Sequence, residues 1–168
     1  VTYVDLTAGR IWDEPLAEAS ARAFVGGSGL GTRILFDQVR KGTAPLSPEN
    51  ALILATGPVT GTLAHGSGRT CLVTKSPLTG LYMDSSVGGE FGAFLKRSGR
   101  DAVVILGKAP RPTVLVIDGE RVRIEPAEDI WGLSTIDAQD KVRERFGAGF
   151  SVICCGPAGE RLSPIACA

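Results

Sequence analysis

Apolar positions along the first forty residues change from a period of two to a period of three to four. Alternation over Val1–Leu6 and a second short run over Arg10–Asp13, separated by the turn residues Thr7–Gly9, predict a β-hairpin. From Pro15 onward apolar residues recur at helical spacing, and Gly26-Gly27 is a typical helix end. The chain therefore opens with a hairpin followed by a helix.

The glycine-rich run Gly27-Ser28-Gly29-Leu30-Gly31 comes before a second predicted helix, which follows Gly31 and carries Ile34 and Leu35. Its G-x-G-x-G spacing differs from the G-x-G-x-x-G of dinucleotide-binding folds. It also follows a helix, whereas that fold needs a strand leading into a helix N-terminus. A tight turn between two helices is the favoured interpretation of this run.

The rest of the chain alternates short apolar runs with turn residues. A helix is predicted from Glu90 to Arg97, ending at Gly99, and Ser134 with Asp137 resembles a capping box for a helix that reaches Phe146. Asp118-Gly119 is a strong hairpin signal. The predicted strands are Ala51–Ala55, Thr70–Thr74, Leu81–Met83, Ala102–Leu106, Thr113–Ile117, Arg121–Glu125 and Ser151–Cys155.

Several of these strands pair as hairpins, which favours an α+β fold over a doubly wound parallel sheet. Residues 51–61 and 151–159 also share one pattern, an apolar strand followed by Gly-Pro and a glycine-containing turn. We expect two β-sheet halves with packed helices, duplicated with approximate internal two-fold symmetry. The alternative is two unrelated segments, because a strand followed by Gly-Pro is a common arrangement.

Charge and composition restrict the function. The 18 Lys and Arg balance the 18 Asp and Glu, so no net field would hold nucleic acid or a membrane surface. No apolar run approaches the roughly 20 residues of a membrane span, and we expect a cytoplasmic protein. Cys71, Cys154, Cys155 and Cys167 have no metal-binding spacing and are expected to be buried, reduced thiols.

Three predicted turns combine small residues with hydrogen-bonding side chains: Gly57–Thr62, Gly66–Arg69 and Asp84–Gly89. Small residues let main-chain groups approach a ligand, and Arg69 would add a permanent planar charge for a phosphate. Each turn alone is ordinary loop chemistry, but three within about 35 residues indicate a site. Glu90 has the alternative role of complementing a helix dipole, and no pair of carboxylates has a recognisable catalytic spacing.

The motifs in this region resemble the N-terminal domain of tungsten-containing aldehyde:ferredoxin oxidoreductases. The resemblance covers essentially the whole chain in order. The segments that carry it are 45–50, 55–62, Ser67-Gly68-Arg69, 73–80, Gly88–Gly92, Gly107-Lys108, Ile130-Trp131-Gly132 and Gly156–Glu160.

The resemblance implies a base for a tungsten ion held by two molybdopterin-type dithiolene cofactors, whose phosphates share a Mg²⁺ ion. The arginine of Ser-Gly-Arg, here Arg69 after Gly68, would lie between a pterin and the [4Fe–4S] cluster. The loop before the paired glycines, here Ser86, Val87, Gly88 and Gly89, would contact a pterin. The Mg²⁺ would be bound by the main-chain carbonyl of Ser86, which replaces the asparagine typical of this position.

The family's cluster cysteines, its second phosphate loop and its proton-handling residues lie in later parts of such enzymes. We therefore expect residues 1–168 to be a cofactor-binding domain cut near its C-terminal end, inactive alone and without catalytic residues of its own. The parent enzyme would oxidise aldehydes to carboxylic acids with ferredoxin as acceptor, and a homodimer is kept open. The alternatives are a relative acting on aromatic thioesters, a stand-alone phosphate or nucleotide binder, and a purely structural domain.

Overall fold

The structure is a computed structural model that describes residues 1–167. Its main sheet has six strands in the order β2-β1-β6-β3-β4-β5, and a two-stranded hairpin forms a second sheet. Only β1 and β6 pair in parallel, and the other neighbours are antiparallel. The strands are β1 (Thr2–Asp5), β2 (Arg10–Asp13), β3 (Ala51–Thr56), β4 (Thr70–Lys75), β5 (Tyr82–Val87), β6 (Ala102–Leu106), β7 (Thr113–Asp118) and β8 (Arg121–Pro126).

Within residues 1–167, five helices accompany the two sheets, and together they form the α+β arrangement that the strand pattern predicts. The helices are α1 (Glu18–Phe24), α2 (Gly27–Gln38), α3 (Phe91–Arg97), α4 (Thr135–Phe146) and α5 (Gly156–Glu160). No helix in residues 1–167 is long and apolar enough to cross a bilayer.

The main sheet is covered on both faces, because its central strands are apolar on both sides. On one face Leu30 and Ile34 of α2 pack against Ile53 and Val73. On the other face Leu95 of α3 and the apolar side of the β7–β8 hairpin pack against Leu72 and its neighbours on the sheet. Consecutive β4 residues therefore serve different layers, Val73 facing α2 and Leu72 facing α3.

The local signals for α4 and for the second hairpin are confirmed. Ser134 caps α4, accepting a hydrogen bond from the Asp137 N–H at 3.2 Å, and Gly147 ends the helix. The turn between β7 and β8 has Gly119 at a φ of 56°, the left-handed conformation that glycine adopts most readily.

The glycine run between α1 and α2 corrects the sequence interpretation, because residues 27–31 are the first turns of α2 and not an interhelical turn. The helix packs closely on the sheet there: a Cβ added at Gly31 would lie 2.7 Å from Cγ2 of Val73. Gly31 thus reflects helix-to-sheet packing, whereas Gly29 lies against the carbonyl of Phe24, and these close approaches outweigh the low helix propensity of glycine. The first helix also begins later than predicted, at Glu18 instead of Pro15.

Two further predictions differ from the structure. Asp84–Val87 is strand and not turn, because it pairs with β4 along its whole length. Ser151–Cys155 is not a strand, since no strand in residues 1–167 pairs with it; its residues line an apolar cavity instead. The internal two-fold symmetry is therefore not shown by the structure and stays a prediction.

Candidate functional site

The six candidate residues that the sequence assigns to the site meet at one end of the main sheet. They are Gly68, Arg69, Ser86, Val87, Gly88 and Gly89. Gly68 and Arg69 lie immediately before β4, and Ser86 and Val87 end β5, the edge strand paired with it. Cys71 lies opposite Ser86 in the antiparallel register, with 3.9 Å between Sγ and Oγ. The beginning of β4 and the end of β5 are therefore side by side.

The turn after β5 returns to the residues that precede β4. A Cβ added at Gly68 would lie 2.7 Å from the carbonyl oxygen of Gly89, so the two main chains are in contact there. Gly88 and Gly89 are otherwise exposed, and a Cβ added at either would meet nothing within 4 Å. The paired glycines thus leave open space next to Arg69.

A network of hydrogen bonds fixes the loop from Gly57 to Arg69. The hydroxyl of Thr60 accepts a hydrogen bond from the Gly57 N–H at 2.9 Å and donates one to the Arg69 carbonyl at 3.4 Å. The Gly61 N–H donates to the carbonyl of Ser67 at 3.0 Å. The loop is consequently a compact structure, although most of its side chains are exposed.

The N-terminus of α2 reaches the same end of the sheet. Gly26 approaches Gly57, and Gly27 approaches the sulfur of Cys71. This helix begins without a side-chain cap and without an acidic residue in its first turn. Its N-terminal partial positive charge, which favours anions, is therefore not neutralised from within its own first turn.

Arg69 is the cation of this region. Its side chain is exposed, and no carboxylate within residues 1–167 forms an ion pair with it. The outer edge of β5 adds main-chain N–H and C=O groups that no strand of the described chain pairs with. Guanidinium, hydroxyl and free main-chain groups together suit a large polar ligand with negative charge.

The cysteines do not have the predicted burial, although all four are free thiols. Cys71 and Cys154 are half-buried, and Cys155 and Cys167 are exposed. Desolvation is the main cause that raises the pKa of both Cys154 and Cys155; the charge of Glu160 also raises the pKa of Cys155, and a main-chain hydrogen bond partly offsets that shift. Within residues 1–167, no three His, Cys, Asp or Glu side chains cluster as metal ligands do.

A cavity of about 790 Å³ lies elsewhere, between the main sheet, the β7–β8 hairpin and α4. Its lining is mostly apolar and includes none of the six candidate residues. We place the candidate site at the β4–β5 end, because the charged and hydrogen-bonding groups converge there.

Sequence reasoning missed two contributors to this end of the sheet. One is Thr60, whose role depends on a carbonyl nine residues away; the only local signal is a threonine inside a Gly-rich turn. The other is the N-terminus of α2, because the sequence favours a turn over Gly27–Gly31 where the structure has helix.

The whole chain, residues 1–168, matches the family described as aldehyde ferredoxin oxidoreductase, N-terminal domain. The chain belongs to this family. The resemblance carried by the Ser-Gly-Arg and Gly-Gly motifs is thereby confirmed.

Two of its relatives are tungsten-containing aldehyde ferredoxin oxidoreductases. The protein from Pyrococcus furiosus is 41% identical over 160 residues, and that from Pyrococcus abyssi is 42% identical over 161 residues. Each alignment covers 95% of this chain but 26% of the relative. The chain therefore spans about a quarter of the length of the curated relatives it matches.

A solved structure is also similar: the active-site complex BamBC of benzoyl-coenzyme A reductase, in complex with 1,5-dienoyl-CoA. The TM-score is 0.83 with 35% sequence identity, over 86% of this chain and 22% of the other. The α+β domain described above thus occurs in enzymes whose names denote different reactions.

Proposed function

We propose that this chain is the cofactor-binding N-terminal domain of a larger oxidoreductase that oxidises aldehydes to carboxylic acids. The observation that carries the proposal is the convergence of Arg69 with the Gly88-Gly89 turn at the end of β4 and β5. The relatives also support the proposal, because the chain belongs to a family that includes tungsten-containing aldehyde ferredoxin oxidoreductases. The other domains, with the cluster ligands and substrate-handling residues, lie outside residues 1–168 in this proposal.

The residues present fit a tungsten bis-molybdopterin. Open space beside Gly88 and Gly89 leaves room for a planar heterocycle to approach the main chain. Arg69 has no carboxylate partner within residues 1–167, so its guanidinium is available to a phosphate or a ring heteroatom. The unneutralised N-terminus of α2 adds a favourable field for an anionic cofactor.

Each candidate residue has a distinct task in this proposal. Arg69 would orient a pterin, on the side that faces the [4Fe–4S] cluster of the parent enzyme. The carbonyl of Ser86 would bind the Mg²⁺ ion, and Val87, Gly88 and Gly89 would contact the pterin through the main chain. Gly68 brings the Arg69 turn against Gly89. When bound, the tungsten cofactor and the cluster would supply the redox chemistry, and the residues of this domain would hold and orient the cofactor.

The domain's own contribution is binding and electrostatics, since no pair of acid and base groups is assigned to it. A cytoplasmic location and a homodimer are further parts of the proposal. The second candidate function is the reductive chemistry of an aromatic thioester. It is favoured by one observation, the similarity to the benzoyl-coenzyme A reductase complex.

Purification of the full-length protein tests the proposal through tungsten, molybdenum, iron and pterin content, followed by aldehyde-dependent reduction of ferredoxin. We expect tungsten with pterin and an iron–sulfur cluster. Arg69→Ala should weaken cofactor binding about tenfold or more, as expected for the loss of a charge-assisted hydrogen bond.

Arg121→Ala is the matched control, because Arg121 is an exposed arginine in the β7–β8 hairpin and lies outside the candidate site. Molybdenum without tungsten, or neither metal, would contradict the cofactor assignment. Thioester reduction without aldehyde oxidation would favour the second candidate. Unchanged cofactor content in Arg69→Ala would remove the role given to Arg69.

A further inference from the structure

The main chain of Arg69 is held by the protein, although its side chain is exposed. Thr60 is 6% exposed, and its hydroxyl joins the Gly57 N–H to the Arg69 carbonyl, at 2.9 and 3.4 Å. One buried hydroxyl therefore links the beginning of the Gly57–Arg69 loop to its end.

Helix α3 contacts the same carbonyl through Gly92. A Cβ added at Gly92 would lie 3.0 Å from the carbonyl oxygens of both Gly68 and Arg69, and 2.5 Å from Oγ1 of Thr70. These are main-chain atoms and a fully buried side chain, so they have little freedom to move away. Any side chain at Gly92 would displace the peptide that carries Arg69.

We infer that Thr60 and Gly92 are positioning residues that set where the Arg69 guanidinium lies. The inference deepens the proposed function and rests on it. An arginine side chain is long and rotatable, so its head can be placed reproducibly only if its Cα starts from a fixed point. Catalytic and cofactor-binding sites need their functional groups within about 0.5 Å of the productive geometry. Contacts to one carbonyl from two separate parts of the chain provide such a fixed point.

A purely structural role for these residues predicts a different result. If Thr60 and Gly92 served only the fold, their substitution would lower stability and leave the properties of a correctly loaded enzyme unchanged. If they position Arg69, their substitution should reproduce the effects of losing the Arg69 guanidinium. The cluster potential is such a property, because a displaced cation changes the field at the neighbouring redox centre.

The experiment uses the full-length enzyme and compares Thr60→Val, Thr60→Ser, Gly92→Ala and Arg69→Ala. Thr60→Val keeps the shape but removes both hydrogen bonds, whereas Thr60→Ser keeps the hydroxyl. Gly149→Ala is the matched control for adding a methyl group, because a Cβ there would meet nothing within 4 Å. The readouts are tungsten per cluster, the cluster midpoint potential from redox titration followed by electron paramagnetic resonance, and the unfolding midpoint.

We expect Thr60→Val and Gly92→Ala to shift the cluster potential in the same direction as Arg69→Ala and to weaken tungsten retention about tenfold, the usual scale for groups that orient a ligand. Thr60→Ser and Gly149→Ala should match the unmodified enzyme. The inference is overturned if Arg69→Ala changes these properties while Thr60→Val and Gly92→Ala do not. It is also overturned if both variants merely fail to fold, since that assigns the residues to stability. Absence of tungsten and cluster from the unmodified enzyme would instead contradict the proposed function.

Discussion

Thr70 is fully buried at the beginning of β4, and its hydroxyl has no hydrogen-bond partner within residues 1–167. Its register partner on β3, Thr56, is equally buried but donates to the carbonyl of Asp101 at 3.0 Å. A buried hydroxyl without a partner costs about 1–3 kcal/mol, whereas a satisfied one stabilises the fold. The two threonines thus allow a buried hydroxyl without a hydrogen-bond partner to be compared with one that has a partner.

Thr70→Val is expected to raise the free energy of unfolding by about 1 kcal/mol, because it removes an unsatisfied hydroxyl and keeps the side-chain shape. Thr56→Val should lower it by about 1 kcal/mol, since it removes a hydrogen bond and leaves a carbonyl less well satisfied. Urea unfolding followed by circular dichroism measures both. A Thr70→Val variant as destabilised as Thr56→Val would mean that the Thr70 hydroxyl has a partner.

Single residues of the candidate site differ in how far the sequence could predict them. Arg69 and the paired glycines at 88 and 89 stand in recognisable motifs, so a resemblance identifies them. Thr60 and Gly92 act through contacts with the Arg69 carbonyl, and that contact exists only after the loop and α3 have packed. No local pattern encodes such a contact.

At the scale of elements, locally determined features were predictable and those that depend on distant partners were not. The cap of α4 at Ser134 and the β7–β8 turn use hydrogen bonds and dihedral angles within a few residues. The start of α2 depends on packing against β4. Whether Ser151–Cys155 forms a strand depends on whether another strand pairs with it. An apolar run alone does not decide between a strand and a cavity wall.

Arg100 connects the β7–β8 hairpin to the main sheet. It is 6% exposed and donates to the Thr2 hydroxyl at 2.9 Å and to the carbonyls of Ser98, Gly119 and Glu120 at 2.7 Å each. Two of these acceptors belong to the hairpin turn. The planar guanidinium of Arg100 therefore adds several hydrogen bonds to the apolar packing that holds the hairpin on the sheet.

Arg100→Met should lower the free energy of unfolding by on the order of 3 kcal/mol, because it keeps the apolar stem but leaves buried acceptors without a donor. The free energy of unfolding of Arg100→Lys should lie between those of Arg100→Met and the unmodified protein, because an ammonium group cannot reproduce the guanidinium fork. Denaturant titration provides the measurement, with the exposed Arg121→Met as a control expected within about 0.5 kcal/mol of the unmodified protein. Equal effects of Arg100→Met and Arg121→Met would show that the hairpin docks without Arg100.

For the molecule as a whole, the α+β class and the two sheets followed from hairpin signals, while the apolar cavity did not. The cavity is open to solvent on one side and is lined by residues far apart in sequence, from Leu52 on the sheet to Val142 on α4. Leu52 is 36% exposed although it lies on a central strand. Its exposure is explained by the cavity, since no side chain of residues 1–167 fills the space over that part of β3.

An apolar cavity of about 790 Å³ should bind apolar molecules when the 168-residue chain is studied in isolation. We expect the fluorescence of an anilinonaphthalene sulfonate dye to increase with the folded chain. Leu52→Lys should reduce this increase about twofold or more, because a charge at the cavity wall makes apolar contact unfavourable. Leu46→Lys is the control, since Leu46 is 54% exposed and does not line the cavity. Circular dichroism would verify that both variants keep the fold. Equal dye binding by the two variants would locate the dye on another apolar surface, and the cavity would then be closed or filled in solution.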